Sequence, residues 1–376
     1  MNLALSDEQV FLREAARGAL DRFKTVEAAR EALDGGELPD LWPAASEAGW
    51  PGLMISSEHG GAGLGAFDAM LVLAECGRKL APVPLLGHVP ATAVLDGGGA
   101  DAALLKRLAE GDARAVYVPA RPPDDIEDTW TVEPARGVTR VAAPTITVDG
   151  ESASVSGEVA WVPDAPGADV LVVVGVDGEG KPRAVVVDAG SDGVSVEPVT
   201  RYDATRSLGH VKLDNAAATP LEADDEALTG AWYLAQALLA AEALGAVEEA
   251  LERSVEYAKE RFTFGRAIGS YQAVKHSLVE VLRRMENLRS LLYYAGWSHA
   301  DAPDEFPLAA SAARAAAGRA FDYTAREFIS VHGGIGATWE HDAPLYFRRA
   351  QLSRRLLGGA GDATDRVAGE VLRNAA

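Results

Sequence analysis

The stretch "RFTFGRAIGSYQAVKH", residues 261–276, gathers side chains that suit a phosphorylated ligand. Arg261 offers a planar fork of donors that matches a phosphate, and Thr263 adds a hydroxyl. The Gly265 and Gly269 backbone admits close approach. Phe264 can face a ring, and Gln272 stands where a helix begins. A second stretch, "VHGGIGATWEH" at 331–341, exposes backbone amides at Gly333, Gly334 and Gly336 ahead of another helix start, a ready anion site. Each has a plainer reading. The first could be an interhelical loop around a buried Phe264, and the second a glycine helix stop. Both lie at the ends of long helices and both suit a pyrophosphate.

The elements that must position these loops follow from periodicity. Residues 1 to about 110 read as helical. "SDEQ" at 6–9 has the form of a capping box, and Leu12, Ala15, Ala16 and Leu20 follow at helical spacing. A glycine-rich loop then leads to an apolar helix from about Phe67 to Leu80, stopped by Pro82 and Pro84. From residue 113 the pattern alternates. "TITVDGESASVSGEVAWVP" predicts a hairpin around Asp149-Gly150, and "VLVVVGVDGEGKPRAVVVD" predicts two valine-rich strands. From residue 223 long helices return, at about 224–260, 270–301, 306–331 and 341–372.

The expected fold is therefore α+β. An N-terminal helical domain spans 1–112, a central antiparallel β domain 113–222 and a C-terminal four-helix bundle 223–376, with a ligand where sheet and bundle meet. The chain has 376 residues, 48% of them hydrophobic, ample for a large core. One cysteine, Cys76, excludes a disulfide framework and a cysteine metal cluster. The net charge of −21 argues against nucleic-acid binding. The opening residues carry charge where a signal peptide would be apolar, and no run of 18 apolar residues is found. Cytoplasmic location without membrane contact is expected. His276 and His332 lack metal-ligand spacing and read as structural, so no metal site is expected. "EHD" at 340–342 is expected to cap a helix or pair near Arg348 and Arg349.

"YAKERFTFGRAIGSYQAVKH" followed by "VHGGIGATWEHDAPLYFRRA" closely resembles the FAD-dependent acyl-CoA dehydrogenase family. So do "LWPAASEAGWPGLMISSEHGGAGLG" and "GEVAWVPDAPGADVLVVV", and the resemblance covers nearly the whole chain in order. It implies FAD bound between the β domain and the bundle and completed by a neighbouring subunit. Arg261, Thr263, Phe264 and Gln272 would clamp the diphosphate and adenine end of a partner's FAD. Gly333, Gly334 and Gly336 would pass beside its ADP moiety, and Trp161 would lie against the flavin ring. At least a dimer is implied, and usually a tetramer.

The same comparison exposes gaps. Family chemistry needs a carboxylate base for the proton α to a thioester carbonyl, in a dry pocket. One family position for it falls on Leu357, beside a retained Gly358, and the other on Ala235. Neither takes a proton. Glu242 lies seven residues beyond Ala235 on the same helical face and among apolar neighbours. It is the candidate base, unless it is an acid paired with an arginine or sitting at a subunit contact. The family's flavin-contacting T-E-P-x-x-G-S-D segment is replaced by "YVPARPPDDIED" at 117–128.

Three readings follow. The chain is an acyl-CoA dehydrogenase that desaturates an acyl thioester with Glu242 as base and an electron-transfer flavoprotein as acceptor. Or it is a non-catalytic subunit lending the FAD clamp to a heteromeric dehydrogenase, resembling the actinobacterial type that acts on steroid side chains. Or it keeps the fold as a flavin-dependent biosynthetic oxidase or an acyl-carrier-protein-linked dehydrogenase.

Overall fold

The computed structural model describes residues 4–118, 131–132, 140–141, 143–199 and 201–375. Six helices come first: α1 (Asp7–Leu20), α2 (Thr25–Ala32), α3 (Trp42–Glu47), α4 (Ala66–Arg78), α5 (Leu85–Gly97) and α6 (Ala102–Glu110). The strands follow as β1 (Ala115–Val118), β2 (Thr131–Val132), β3 (Arg140–Val141), β4 (Thr145–Asp149), β5 (Ser152–Pro163), β6 (Val170–Val176), β7 (Pro182–Asp188), β8 (Val194–Pro198) and β9 (Leu208–Pro220). The chain then returns to helix with α7 (Asp225–Glu260), a small hairpin of β10 (Phe262–Thr263) and β11 (Arg266–Ala267), α8 (Gln272–Asp301), α9 (Phe306–His332), α10 (Ala343–Ser353) and α11 (Gly359–Ala375).

Local chemistry explains most of the boundaries. Ser6 and Gln9 form the reciprocal capping box that opens α1. Asp224 accepts from the Ala227 amide to open α7. The β4–β5 hairpin turns through Gly150, whose φ of 61° suits glycine. The expected fourth bundle helix is two helices. Leu357, Gly358 and Gly359 take φ values of 50°, 80° and 84°, which no α-helix accommodates, so the chain breaks between α10 and α11. Arg314 of α9 holds the break. It is buried, and one Nη donates to the Ser353 and Leu356 carbonyls at 2.6 and 3.0 Å.

The main sheet has seven strands in the order β1-β6-β4-β5-β9-β7, with β8 on β9. Further β6–β7 pairing closes the sheet on itself. Most pairs are antiparallel, but β1 runs parallel to β6, as does the single β4–β6 bridge. Val173 and Leu171 of β6 face one apolar cluster inside the sheet, while Val172 and Val174 join the helical core. Burial on both faces accounts for the unbroken valine run.

α7 is the axis of the molecule. It crosses α4 at two glycines: a Cβ on Gly245 would stand 1.7 Å from the Ala74 carbonyl oxygen, and one on Gly77 would stand 1.9 Å from that of Glu242. α7 is the one described helix long and apolar enough to cross a membrane, but 94% of that stretch is buried inside the protein, as befits a core helix.

Candidate functional site

Two loops share one end of the bundle. Arg261 ends α7 and leads into the β10–β11 hairpin, and Gly333 ends α9. Tyr257, one turn inside α7, and His332, the last residue of α9, have their rings 4.2 Å apart, which sets the loops side by side. The glycine loop is closed by a histidine pair, His332 and His341, at 4.2 Å. Burial, and next the neighbouring His332, push the His341 imidazole down to about 4, so it is neutral at pH 7.

The clamp candidates are presented outward. Arg261 is exposed and, among the described residues, makes no ion pair, so its donors are open to an external anion. Phe264 is 93% exposed at a φ of 52°, and Phe262 is 64% exposed. A buried Phe264 in an ordinary loop, the plainer reading of the sequence, is thus set aside. Tyr271 fixes the hairpin by donating its hydroxyl to the Thr263 carbonyl at 3.0 Å. Gln272 is exposed at the first position of α8, which has no side-chain cap, leaving amides free at a positive helix end. Gly333 and Gly334 have open space where a Cβ would be, whereas Gly336 is packed, its missing Cβ 2.5 Å from the Ile329 carbonyl oxygen. Exposed aromatics, an unpaired arginine, free amides and an open glycine backbone fit the ADP end of a dinucleotide.

Trp161 lies elsewhere, on β5, in a bulge where the β5–β9 register shifts. Its φ is 59°. The indole meets His210 edge-on at 4.5 Å, and the Arg201 guanidinium stands 3.7 Å over the ring. The segment 119–130, including most of the divergent "YVPARPPDDIED", lies outside the described residues.

The two family base positions meet at one joint. Gln236 of α7 donates to the Leu357 carbonyl at 3.0 Å, and a Cβ on Gly358 would touch the Trp232 ring at 3.2 Å. Ala235 sits on that same turn of α7. Ala235, Leu357, Trp232 and Gln236 are all buried. The polar group here is a neutral amide, which takes no proton.

Glu242 is buried but not in an apolar pocket. One carboxylate oxygen accepts from Arg206 and the other from Arg349. Arg349 also pairs with Asp203 at 2.6 Å and donates to the Thr205 carbonyl at 2.9 Å. Asp164 joins the same cluster and accepts from the Gly87 amide at 2.9 Å. Burial pushes the Asp164 carboxyl up to about 6, against the pull of Arg206. Arg349 and Thr205 hold Asp203 below the usual carboxylate range despite its burial. Periodicity hid this network, because its arginines come from segments 36 and 107 residues away from Glu242. Asp342, expected near Arg348 and Arg349, pairs instead with Arg30 of α2 and Arg253 of α7. His341 does cap, accepting from the Ala343 amide at 3.1 Å. His332 is buried with Nδ1 on the Phe328 carbonyl, while His276 is exposed on α8. No cluster of three or more metal-ligating side chains occurs among the described residues.

A helical layer, a closed β sheet and a helical bundle with glycine loops at one end define an acyl-CoA dehydrogenase architecture, and comparison with known proteins agrees. Family models of the acyl-CoA dehydrogenase N-terminal and C-terminal domains match residues 6–112 and 229–371. The acyl-CoA dehydrogenase IpdE2 of Mycolicibacterium smegmatis is 31% identical over 98% of this chain and 100% of its own length. A variant of the Tcur3481–Tcur3483 steroid ACAD superposes with a TM-score of 0.86 at 30% identity, covering 98% of this chain and 99% of that one. The ChsE4–ChsE5 complex of Mycobacterium tuberculosis gives a TM-score of 0.85 at 26% identity, covering 99% of both chains. The chain belongs to the acyl-CoA dehydrogenase family.

Proposed function

We propose that this chain is a subunit of a heteromeric FAD-dependent acyl-CoA dehydrogenase, lending the clamp for the ADP end of FAD and leaving the base to a companion of the same family. The observation that carries this is the state of the three base candidates. Ala235 and Leu357 are apolar and buried at a closed joint, and Glu242 has both oxygens engaged by arginines. A buried carboxylate with each oxygen already accepting from an arginine is held as an ion-pair partner, and a base needs an oxygen directed at the substrate proton.

FAD, when bound, supplies the hydride acceptor for α,β-desaturation of an acyl thioester. This chain's part is to hold it. Arg261, Thr263 and Gln272 would bind the phosphates, Phe264 would cover the adenine, and Gly333, Gly334 and Gly336 would line the ADP path, with Trp161 toward the flavin ring. Relatives described as a steroid ACAD and as the ChsE4–ChsE5 complex support a bulky acyl-CoA and a hetero-oligomer, either dimer or tetramer. An electron-transfer flavoprotein is the proposed acceptor and the cytoplasm the proposed location. The charge of −21 supports a partner set without nucleic acid.

The test is flavin absorbance of the chain purified alone and co-expressed with a family member encoded beside it. Stoichiometric flavin and acyl-CoA oxidation only in the mixed complex support the proposal. A homo-oligomer that oxidises acyl-CoA unaided refutes it.

A further inference from the structure

The segment 201–206, between β8 and β9, is tied firmly to the bundle. The Tyr202 carbonyl accepts from Arg348 at 2.6 Å, Asp203 pairs with Arg349, and Arg206 pairs with Glu242. Asp203, Thr205 and Arg206 are buried. The segment's first residue, Arg201, is exposed and places its guanidinium 3.7 Å over the Trp161 ring. That is the spacing of van der Waals contact, so the planar guanidinium fills the layer another flat group would occupy. Trp161 is half-buried and packs against the helical core. The exposed Arg201 therefore lies on the solvent side of the indole. Its backbone is one residue from the anchored Tyr202, which keeps the indole within reach of the guanidinium.

We propose that Arg201 is a plug on Trp161: the chain's own site for an isoalloxazine ring is closed until this guanidinium leaves, while its clamp for the ADP end stays open. On this view the Glu242–Arg349–Asp203 network anchors the segment that carries the plug. The proposal rests on the reading of Trp161 as the residue facing the flavin ring, and it assigns Arg201 a positioning role, acting through Trp161.

Two probes separate the ring from the clamp. Riboflavin carries the ring without ADP, and ADP carries the phosphates without the ring. Calorimetric titration of the full chain with each is compared for wild type, Arg201→Ala and Arg201→Lys. Arg201→Ala is expected to bind riboflavin roughly two- to fivefold more tightly than wild type, the scale of a lost cation–π competitor at an exposed site. Arg201→Lys, which keeps a cation over the ring, should stay near wild type, and ADP affinity should be equal in all three. Riboflavin binding that is unchanged, weakened or absent in Arg201→Ala overturns the plug. Absence of ADP binding in all three overturns the clamp reading instead, and leaves the riboflavin comparison standing.

Discussion

Single residues divide the chain's chemistry into a part that is open and a part that is locked. Arg261 is exposed and, among the described residues, makes no ion pair, so on the proposed reading its contribution is to FAD in the assembled oligomer. Removing a charged donor from a phosphate costs about 1.5–3 kcal/mol. Arg261→Ala should thus lower flavin occupancy of the assembled oligomer about tenfold or more, read from absorbance after gel filtration. Unchanged occupancy would place the phosphates elsewhere. Glu242 is the opposite case. Removing its charge leaves Arg206 and Arg349 partly uncompensated in the interior, a loss of about 3–5 kcal/mol. Glu242→Gln should therefore lower the melting temperature clearly. The arginine pairs are lost whatever the role of Glu242, so what would mark a catalytic base is a lost rate in the complex that still folds and holds flavin. Position 242 shows the limit of reading residues from sequence: an acid among leucines suggests a raised pKa, and only the fold shows which arginines reach it.

At the scale of elements, the α4–α7 crossing and the buried ionic cluster make opposite demands. The crossing needs absent side chains. Gly245→Ala forces a methyl group to 1.7 Å from the Ala74 carbonyl oxygen and should cost at least about 1–3 kcal/mol. On the same helix Gly230 has nothing within 4 Å, and Gly230→Ala should stabilise by up to about 1 kcal/mol. Denaturant midpoints of the pair check the sign. The cluster makes stability depend on pH. The Asp164 carboxyl rises from 3.8 to about 6 on folding, so the native state binds a proton that the unfolded chain releases. That contribution is fully present below about pH 4 and is lost as pH rises through about 6. Asp164→Asn keeps an acceptor for the Gly87 amide and removes the titration. Its melting temperature should fall less than that of wild type between pH 4.5 and 7, and parallel curves would remove Asp164 from the account. Elements were legible in the sequence where local chemistry decides them: the capping box at Ser6, the hairpin at Gly150 and the valine strands β6 and β7. At the α10–α11 break the periodicity predicts continuous helix, although the pair Gly358-Gly359 stands in that helical run as a breaker signal. What interrupts it is the left-handed backbone at Leu357, with the preceding carbonyls held by Arg314 from another helix. The parallel β1–β6 pairing was hidden, since alternation does not reveal strand direction.

The whole molecule is a family member, and on the proposed reading it offers an open clamp for the ADP end of FAD while none of the three base candidates, Ala235, Leu357 and Glu242, is free to take a proton. The segments 261–272 and 333–336, proposed to hold FAD, were legible as breaks between long helices, because their glycines stop a helix. The closure of the base joint was not, since it depends on Trp232 and Gln236 of α7 meeting the chain at 357–358. The direct measurement is rapid-mixing reduction of the bound flavin by an acyl-CoA, per flavin, in the complex with the companion subunit. It is compared for wild type, Glu242→Gln and a glutamine replacing the companion's carboxylate. Glu242→Gln complexes that retain flavin should react within about twofold of wild type, while the companion variant should lose about 10²–10⁴ in rate. A Glu242→Gln complex that keeps its flavin and fold but no longer reduces it would contradict the account and make this chain the catalyst.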